Sequence, residues 1–370
     1  MTTGYTPPPY PYDRLDRYKP VAEKHDGGLV DLSIGTPCDP PPPAVLHALA
    51  HSNAERGYPP SIGTLDFREA ATRWMQRRLG VSVDPVTEVA ATIGTKEFVA
   101  GVPHWLHLRR PHLDTVLYPE ISYPSYAMGA ELAGLRAVPV PLDQKGRMRL
   151  DTIDSADTTR ALCLWVNSPG NPAGNLDDLA AVAAWGRANE VLVLSDECYV
   201  EFTWRGDRHT VLEHGTEGLL AVHSLSKRSN LAGARAGFYS GDAEIVHFLR
   251  EIRKHAGFMV PGPVQAAGVV AFDDDEHVER QKDIYRHRLE LGIRMLDKLG
   301  VQAEMPGGGF YLWAHVGDAW GFAERMAAEA GVLVSPGEFY GEAGTEFVRI
   351  AMVQPDDRMA RAASRLGIGV

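Results

Sequence analysis

Cysteine is scarce in this chain. Cys38, Cys163 and Cys198 are the three in 370 residues, far apart and odd in number, which excludes a disulfide framework and leaves no metal-ligand spacing; they read as reduced thiols. No apolar run near the start is long enough for a signal peptide or a membrane span, so a cytoplasmic protein is expected. Positive charge is also short: 37 Lys and Arg against 48 Asp and Glu give a formal net charge of -11, which argues against nucleic acid or an anionic membrane as partner. No internal repeat or low-complexity linker interrupts the chain. Its 44% hydrophobic and 23% charged residues are a globular composition rather than a disordered one. At 370 residues the chain exceeds the size at which one core stops growing, so two domains are expected.

What is present gathers around one stretch, His223-Ser224-Leu225-Ser226-Lys227-Arg228-Ser229-Asn230-Leu231-Ala232-Gly233-Ala234-Arg235-Ala236-Gly237. A lysine follows two closely spaced hydroxyls, and an arginine comes eight residues later between glycines that let backbone approach a ligand. Lysine attacks an aldehyde when its ammonium can lose a proton, which burial or a neighbouring cation encourages. Ser224, Ser226 and the fork of Arg235 could hold a phosphate dianion beside it.

Along the chain, Pro7 to Tyr12 is too rich in proline for a helix or a central strand and reads as an extended arm, disordered or packed on a neighbour. Val30 to Ile34 alternates as a short strand ending at Gly35. Thr64, with Asp66 behind it, caps a predicted helix of about fifteen residues whose apolar positions are Phe67, Ala71, Trp74 and Met75. Gly94-Thr95-Lys96 opens a further helix, where free backbone N–H groups bind anions. Buried strands are predicted at Thr115 to Tyr118, Ala161 to Val166, Val191 to Leu194 and Leu219 to His223, with a helix over about 176 to 189. The strand–helix alternation from about residue 90 to 240 predicts a mostly parallel sheet covered on both faces. One of these strands delivers Asp196 and, three residues on, Tyr199 at its ligand-binding end. Near the end, Arg349 lies in an apolar alternating strand, where an unpaired guanidinium is costly; something must pair with it.

The ordered set Asn171, Asp196, Tyr199, Ser224, Lys227, Arg235 and Arg349 resembles the fold-type I aminotransferases (class I/II) that use pyridoxal 5'-phosphate, over about residues 28 to 366. The wording around Ser195 to Tyr199, Ser224 to Gly237 and Arg253 to Gln265 looks most like actinobacterial N-succinyldiaminopimelate aminotransferases of lysine biosynthesis. The resemblance implies an α/β fold: a three-layer α/β/α large domain with a mostly parallel sheet (residues 44–265), a small α+β domain (266–370), and an arm that joins the small domain (1–43). It implies that Lys227 forms the Schiff base with the cofactor, that Asp196 pairs with the pyridine nitrogen, and that Tyr199 and Asn171 bond the phenolic oxygen. Gly94, Thr95, Lys96, Ser224, Ser226 and Arg235 would form the phosphate cup, and Tyr123 would stack on the ring. Tyr58 would reach the phosphate of the partner subunit, which implies a homodimer with shared active sites. Gly35, Asn171 and Arg349 would hold an amino-acid or 2-oxo-acid substrate, with Arg349 on the α-carboxylate; no metal is implied.

The chain departs from its look-alikes at Ala234, in place of a bulky tyrosine, at Ala173, in place of a threonine, and at Gly170 and Gly262. Together these could reshape the substrate pocket. The same chemistry can also lead to β-elimination of a cysteine conjugate or to decarboxylation, so the sequence leaves open a paralogue of specialised metabolism. A non-catalytic regulator would need a basic DNA-binding segment ahead of the fold, and only the short proline-rich arm stands there.

Overall fold

A strand buried on both faces needs a nearly continuous apolar run, and the predicted runs become the inner strands of the large sheet. A computed structural model describes residues 4–369; residues 1–3 of the expected arm, and residue 370, lie outside the described residues. In chain order the first eight strands are β1 (Val30–Asp31), β2 (Val89–Thr92), β3 (Thr115–Pro119), β4 (Arg136–Val140), β5 (Ala161–Asn167), β6 (Leu192–Asp196), β7 (Leu219–Ser224) and β8 (Gly237–Gly241). Seven of them form the sheet β2-β8-β7-β6-β5-β3-β4, parallel except for β8, which runs against both neighbours. Alternating side chains go to opposite faces. Leu164, Val166, Val193 and Ala221 join one core with the helices Leu65–Leu79 and Gly262–Asp273. Cys163, Trp165, Leu194 and Val222 join another with the helices Thr95–Arg109 and Ala243–His255. The result is the expected α/β/α sandwich.

The helix Leu65–Leu79 begins where its cap was predicted: Thr64 Oγ1 accepts from Phe67 N (3.3 Å), and Gly80 at φ 72° ends it. Phe67, Ala71, Trp74 and Met75 are all buried. Two predicted elements come out shorter. Only Val30 and Asp31 pair as strand, against β10 (Val332–Leu333), because the backbone N–H and hydroxyl of Ser33 both turn to Asp31 Oδ1 (2.9 and 2.6 Å). The helix expected over 176 to 189 is Leu179–Ala188; Asp178 caps it by accepting from Ala181 N (3.0 Å), which sets its start.

A second core lies around the antiparallel sheet of β9 (Tyr311–His315), β11 (Ser335–Pro336) and β12 (Phe347–Ala351), ordered β11-β12-β9. Leu15, Tyr18, Val30 and Leu32 pack into it, so the N-terminal segment and the C-terminal third share one core. The arm expected to be extended through Tyr12 instead enters a 3-10 helix, Pro11–Tyr18, at its last two residues. Pro11 sits at its first position, where a missing N–H costs nothing. The expected boundary at residue 265 falls inside the helix Gly262–Asp273, whose Ala267, Ala271 and Phe272 belong to the large core. The passage to the small core is made by the next helix, Glu276–Lys298.

Between the two lies a buried carboxylate. Glu201, 2% exposed, accepts from Trp74 Nε1 (2.7 Å), from Arg78 Nε and Nη2 (3.1 and 2.9 Å) and from Arg228 Nε (3.1 Å). The Arg228 and Arg78 guanidiniums outweigh burial and hold its pKa down at about 2. A depressed carboxylate stabilises the fold fully above its unfolded pKa, near 4.5, and that contribution disappears as pH falls through the folded value. Glu201→Gln removes one of the two carboxylates that face the buried Arg228, Asp275 being the other, and is expected to cost about 3 kcal/mol at pH 7. Urea denaturation of both proteins at pH 7 and at pH 3 checks this: the gap should narrow at the lower pH, and an equal gap at both would remove the charge from the explanation.

Candidate active site

The C-terminal ends of β3, β5, β6 and β7 open into one cavity, lined by Tyr123, Asn167, Asn171, Asp196, Tyr199, Ser224, Ser226, Lys227, Arg235 and Arg349 among others. Parallel strands in register deliver these groups side by side: Asn167 pairs with Asp196 across β5 and β6. Asn167 donates to the Asp196 carbonyl (2.8 Å) and accepts from Asn171 N (2.7 Å), which fastens the turn after β5 to the neighbouring strand.

At the end of β7, Ser224 caps the short helix Leu225–Arg228 and accepts from Ser226 N (3.0 Å). Lys227 points its Nζ across the cavity to the Gly35 carbonyl. Burial lowers its pKa to about 8, with the Arg349 and Arg235 charges pushing the same way. Arg235 takes left-handed backbone at φ 59° and donates Nη1 to the Ala232 carbonyl (2.7 Å). Its guanidinium lies against Gly94, where a Cβ would overlap Arg235 Nη2, and Gly94 at φ 66° caps the helix beginning at Thr95. Arg235, the Ser224 and Ser226 hydroxyls and that helix start are the donor set a phosphate dianion needs.

Asp196, raised by burial and partly relieved by its hydrogen bonds, accepts from Tyr126 Oη (2.9 Å) and Cys198 N (3.1 Å). The Tyr199 and Tyr311 hydroxyls are 2.9 Å apart. Arg349, 2% exposed, donates Nη1 to Asn171 Oδ1 (2.9 Å) and Nη2 to the Ser33 carbonyl. Its carbon Cζ lies 4.2 Å from the Tyr311 ring centre and 4.7 Å from that of Tyr340. No carboxylate among the described residues pairs with it, and its Nε is buried without a partner. Gly35 is a glycine for want of space: a Cβ there would overlap the Tyr311 hydroxyl.

Of two further expected residues, Lys96 lines the cavity and Tyr58 does not within this chain. The Lys96 ammonium, placed in the phosphate cup by the sequence, is 5.2 Å from the Tyr10 ring centre, and the Tyr123 and Tyr10 hydroxyls outweigh burial and raise its pKa. Tyr58 is 95% exposed and does not line the cavity. Nor do the departures at Gly170, Ala173, Ala234 and Gly262 line it. A Cβ at Gly170 would meet Asn175, and one at Gly262 would meet the Ala54 carbonyl, so both glycines answer to packing. Sequence reasoning missed Tyr126, Tyr311 and Tyr340. It also missed Tyr10 and Tyr12, which the arm brings to the cavity. Tyr126 was within reach, three residues past Tyr123 on the opening turn of a helix; nothing in the spacing announces the pair of rings around Arg349.

A family model for aminotransferases of class I and II matches residues 28–366. The chain belongs to that family. Members of it work with pyridoxal phosphate, and this chain is a transaminase. It is 43% identical over 367 residues to the 4-dedimethylamino-4-oxo-anhydrotetracycline transaminase OxyQ of Streptomyces rimosus, covering 97% of this chain and 99% of that one. A probable aminotransferase of Mycobacterium tuberculosis is 42% identical, over 97% of this chain and 85% of its own length. Among solved structures, a probable N-succinyldiaminopimelate aminotransferase from Thermus thermophilus superposes with a TM-score of 0.86 at 33% identity, covering 96% and 98% of the two chains. These relatives favour transamination over the elimination or decarboxylation that the sequence had left open.

The family resemblance implies that Lys227 attacks the cofactor's aldehyde as the neutral amine, so uptake of pyridoxal phosphate by the cofactor-free protein should accelerate with pH through about 8 and then level off. Stopped-flow absorbance at saturating cofactor measures it, with Lys227→Ala as a control that gains no visible band. A midpoint near the ordinary lysine value would show that burial does not tune this group.

Proposed function

We propose that this transaminase takes an amino group from an acidic amino acid, of the glutamate or N-succinyl-diaminopimelate type, and passes it to a 2-oxo acid. The observation that carries the reading is the charge of the cavity: Lys96, Lys227, Arg235 and Arg349 face it, and Asp196 is the one carboxylate in its lining among the described residues. Such a lining suits a phosphate-bearing cofactor together with a substrate of more than one negative charge. When bound, pyridoxal phosphate supplies an aldehyde for the substrate amine and a ring that acidifies the α C–H bond.

The residues then divide the work. Ser224, Ser226, Arg235 and the N–H groups opening the helix at Thr95 hold the phosphate. Asp196, kept in place by Tyr126, accepts a hydrogen bond from the ring nitrogen; Tyr199 and the amide nitrogen of Asn171 serve the phenolic oxygen, and Tyr123 covers the ring. The bidentate face of Arg349 orients the α-carboxylate, which also gives its Nε a partner. Lys96, at the mouth with Tyr10, meets the distal anionic group. Lys227 Nζ, held near neutrality, takes the α-proton and returns it. Tyr58, unused within one chain, reaches across a homodimer to the phosphate of the partner's site. Three unpaired cysteines suit a reducing cytoplasm.

A second reading of the acceptor has its own support. Tyr10 and Tyr12 line the cavity, and aromatic walls suit a ring-bearing ketone; the relative OxyQ is named for such a substrate.

The test is a half-reaction of the cofactor-loaded protein with glutamate or N-succinyl-diaminopimelate, followed by absorbance and mass spectrometry. Stoichiometric pyridoxamine phosphate and the matching keto acid are expected; no conversion with either would dismiss the acidic donor. Arg349→Ala should raise the apparent Kd for the donor about a hundredfold while cofactor content stays full. An unchanged Kd would place the carboxylate elsewhere.

A further inference from the structure

Lys227 is tied to the small-domain side of the cavity twice over, once at its tip and once behind its backbone, and one side chain closes the circuit. The tip donates to the Gly35 carbonyl. Three residues beyond the lysine, Asn230 donates Nδ2 to Gln281 Oε1 (3.0 Å); four residues beyond the glycine, Asp39 Oδ2 accepts from Gln281 Nε2 (2.8 Å). Gln281 is 7% exposed and lies in the second turn of the helix Glu276–Lys298 that leads into the small core. Its neighbours strengthen both ends. Arg288 holds Asp39 by a two-pronged pair (2.6 and 2.8 Å), Arg228 bonds Asp275 (3.0 Å), and His277 Nε2 meets Ser229 Oγ (3.0 Å). Three consecutive residues after the lysine are thus bonded to one segment, 275 to 281. Asn230 has φ 54°, left-handed backbone that asparagine accepts more readily than other side chains.

The chemistry gives this circuit a purpose. The α-carbon of a substrate is located by Arg349 and the N-terminal segment, whose Ser33 carbonyl accepts from that arginine; the base that takes its proton comes from the short helix that follows the large-domain strand β7. Proton transfer is steep in distance, so the two must be held in register across the joint between cores. A carboxylate at 281 would oppose Asp39, and an apolar residue would leave Asp39 and Asn230 each short of a partner. We propose that Gln281 is a positioning residue, spacing the Lys227 amine from the Gly35 turn through its simultaneous bonds to Asn230 and Asp39. The proposal rests on Lys227 being the proton-transferring base.

Two substitutions test it. Gln281→Met keeps volume and removes both bonds; Asn230→Gly removes the partner side chain and tolerates the left-handed backbone. In half-reactions with glutamate each should slow the rate at saturation about tenfold, leave the apparent Kd nearly unchanged, and raise the rate ratio between protonated and α-deuterated glutamate. A merely less stable protein would lose active fraction without changing that ratio. The double variant should be no slower than the slower single, since both break the same chain of bonds. An unchanged isotope ratio, or losses that multiply, would overturn the role of Gln281. Borohydride reduction and peptide mapping of the unsubstituted protein keep the two ideas apart: cofactor fixed on Lys227 with an unmoved isotope ratio sinks the Gln281 proposal alone, whereas cofactor fixed elsewhere sinks the Lys227 assignment beneath it.

Discussion

The buried guanidinium of Arg349 is the constraint from which much of the site follows. A charge removed from water must be compensated, yet no carboxylate in the described chain answers it. Its partial compensation comes from three places: Asn171 from the large core, the Ser33 carbonyl from the N-terminal segment, and the faces of Tyr311 and Tyr340. Each is a neutral acceptor or a ring quadrupole, enough to keep the cation inside but short of a full ion pair. Folding therefore assembles a site whose last partner is a ligand carboxylate, and it does so by drawing both cores to one side chain. A carboxylate at 171, whose side chain already meets the guanidinium, would satisfy the charge and close the site.

Lys227 is governed by the opposite need. The same burial that makes Arg349 seek an anion makes the lysine give up its proton, and the two guanidiniums near it add to that pressure. Arg349 stays charged because its pKa lies too far above neutrality for burial to reach. One low-dielectric cavity thus keeps a permanent cation for binding and an amine poised near neutrality for chemistry.

Much of this was legible in the sequence because the chemistry sits on regular elements. Asp196, Ser224 and Lys227 lie at or just past the ends of strands with strong apolar runs, and Arg349 lies within one, so pattern located the elements and the family resemblance brought the residues together into one site. The domain boundary was read too early because Gly262–Asp273 and Glu276–Lys298 are both helical, and only packing reveals that Phe272 belongs with Phe67, their rings 5.7 Å apart. Proline content hid the fact that the arm near Pro11 winds into a 3-10 helix and turns Tyr10 and Tyr12 toward the cavity. Lys96 was read into the phosphate cup from its place in the first turn of a helix; that place locates the backbone N–H groups, whereas the long side chain follows the nearest acceptors, here two phenols.

Net charge is the plainest instance of a bulk property giving the right exclusion and the wrong intuition. At -11 overall, the molecule repels polyanions at a distance, because a nucleic acid or membrane samples the whole surface. A small dianion does not; within a Debye length of roughly 8 Å at physiological salt it feels the groups that line its path. There the balance reverses, with Lys96, Arg235 and Arg349, and Lys227 while it is protonated, against Asp196, and low-dielectric walls sharpen the field they make. The acidic exterior and the basic cavity are therefore compatible: the first rejects extended anions that could never enter, while the second selects the compact, multiply charged ones that can.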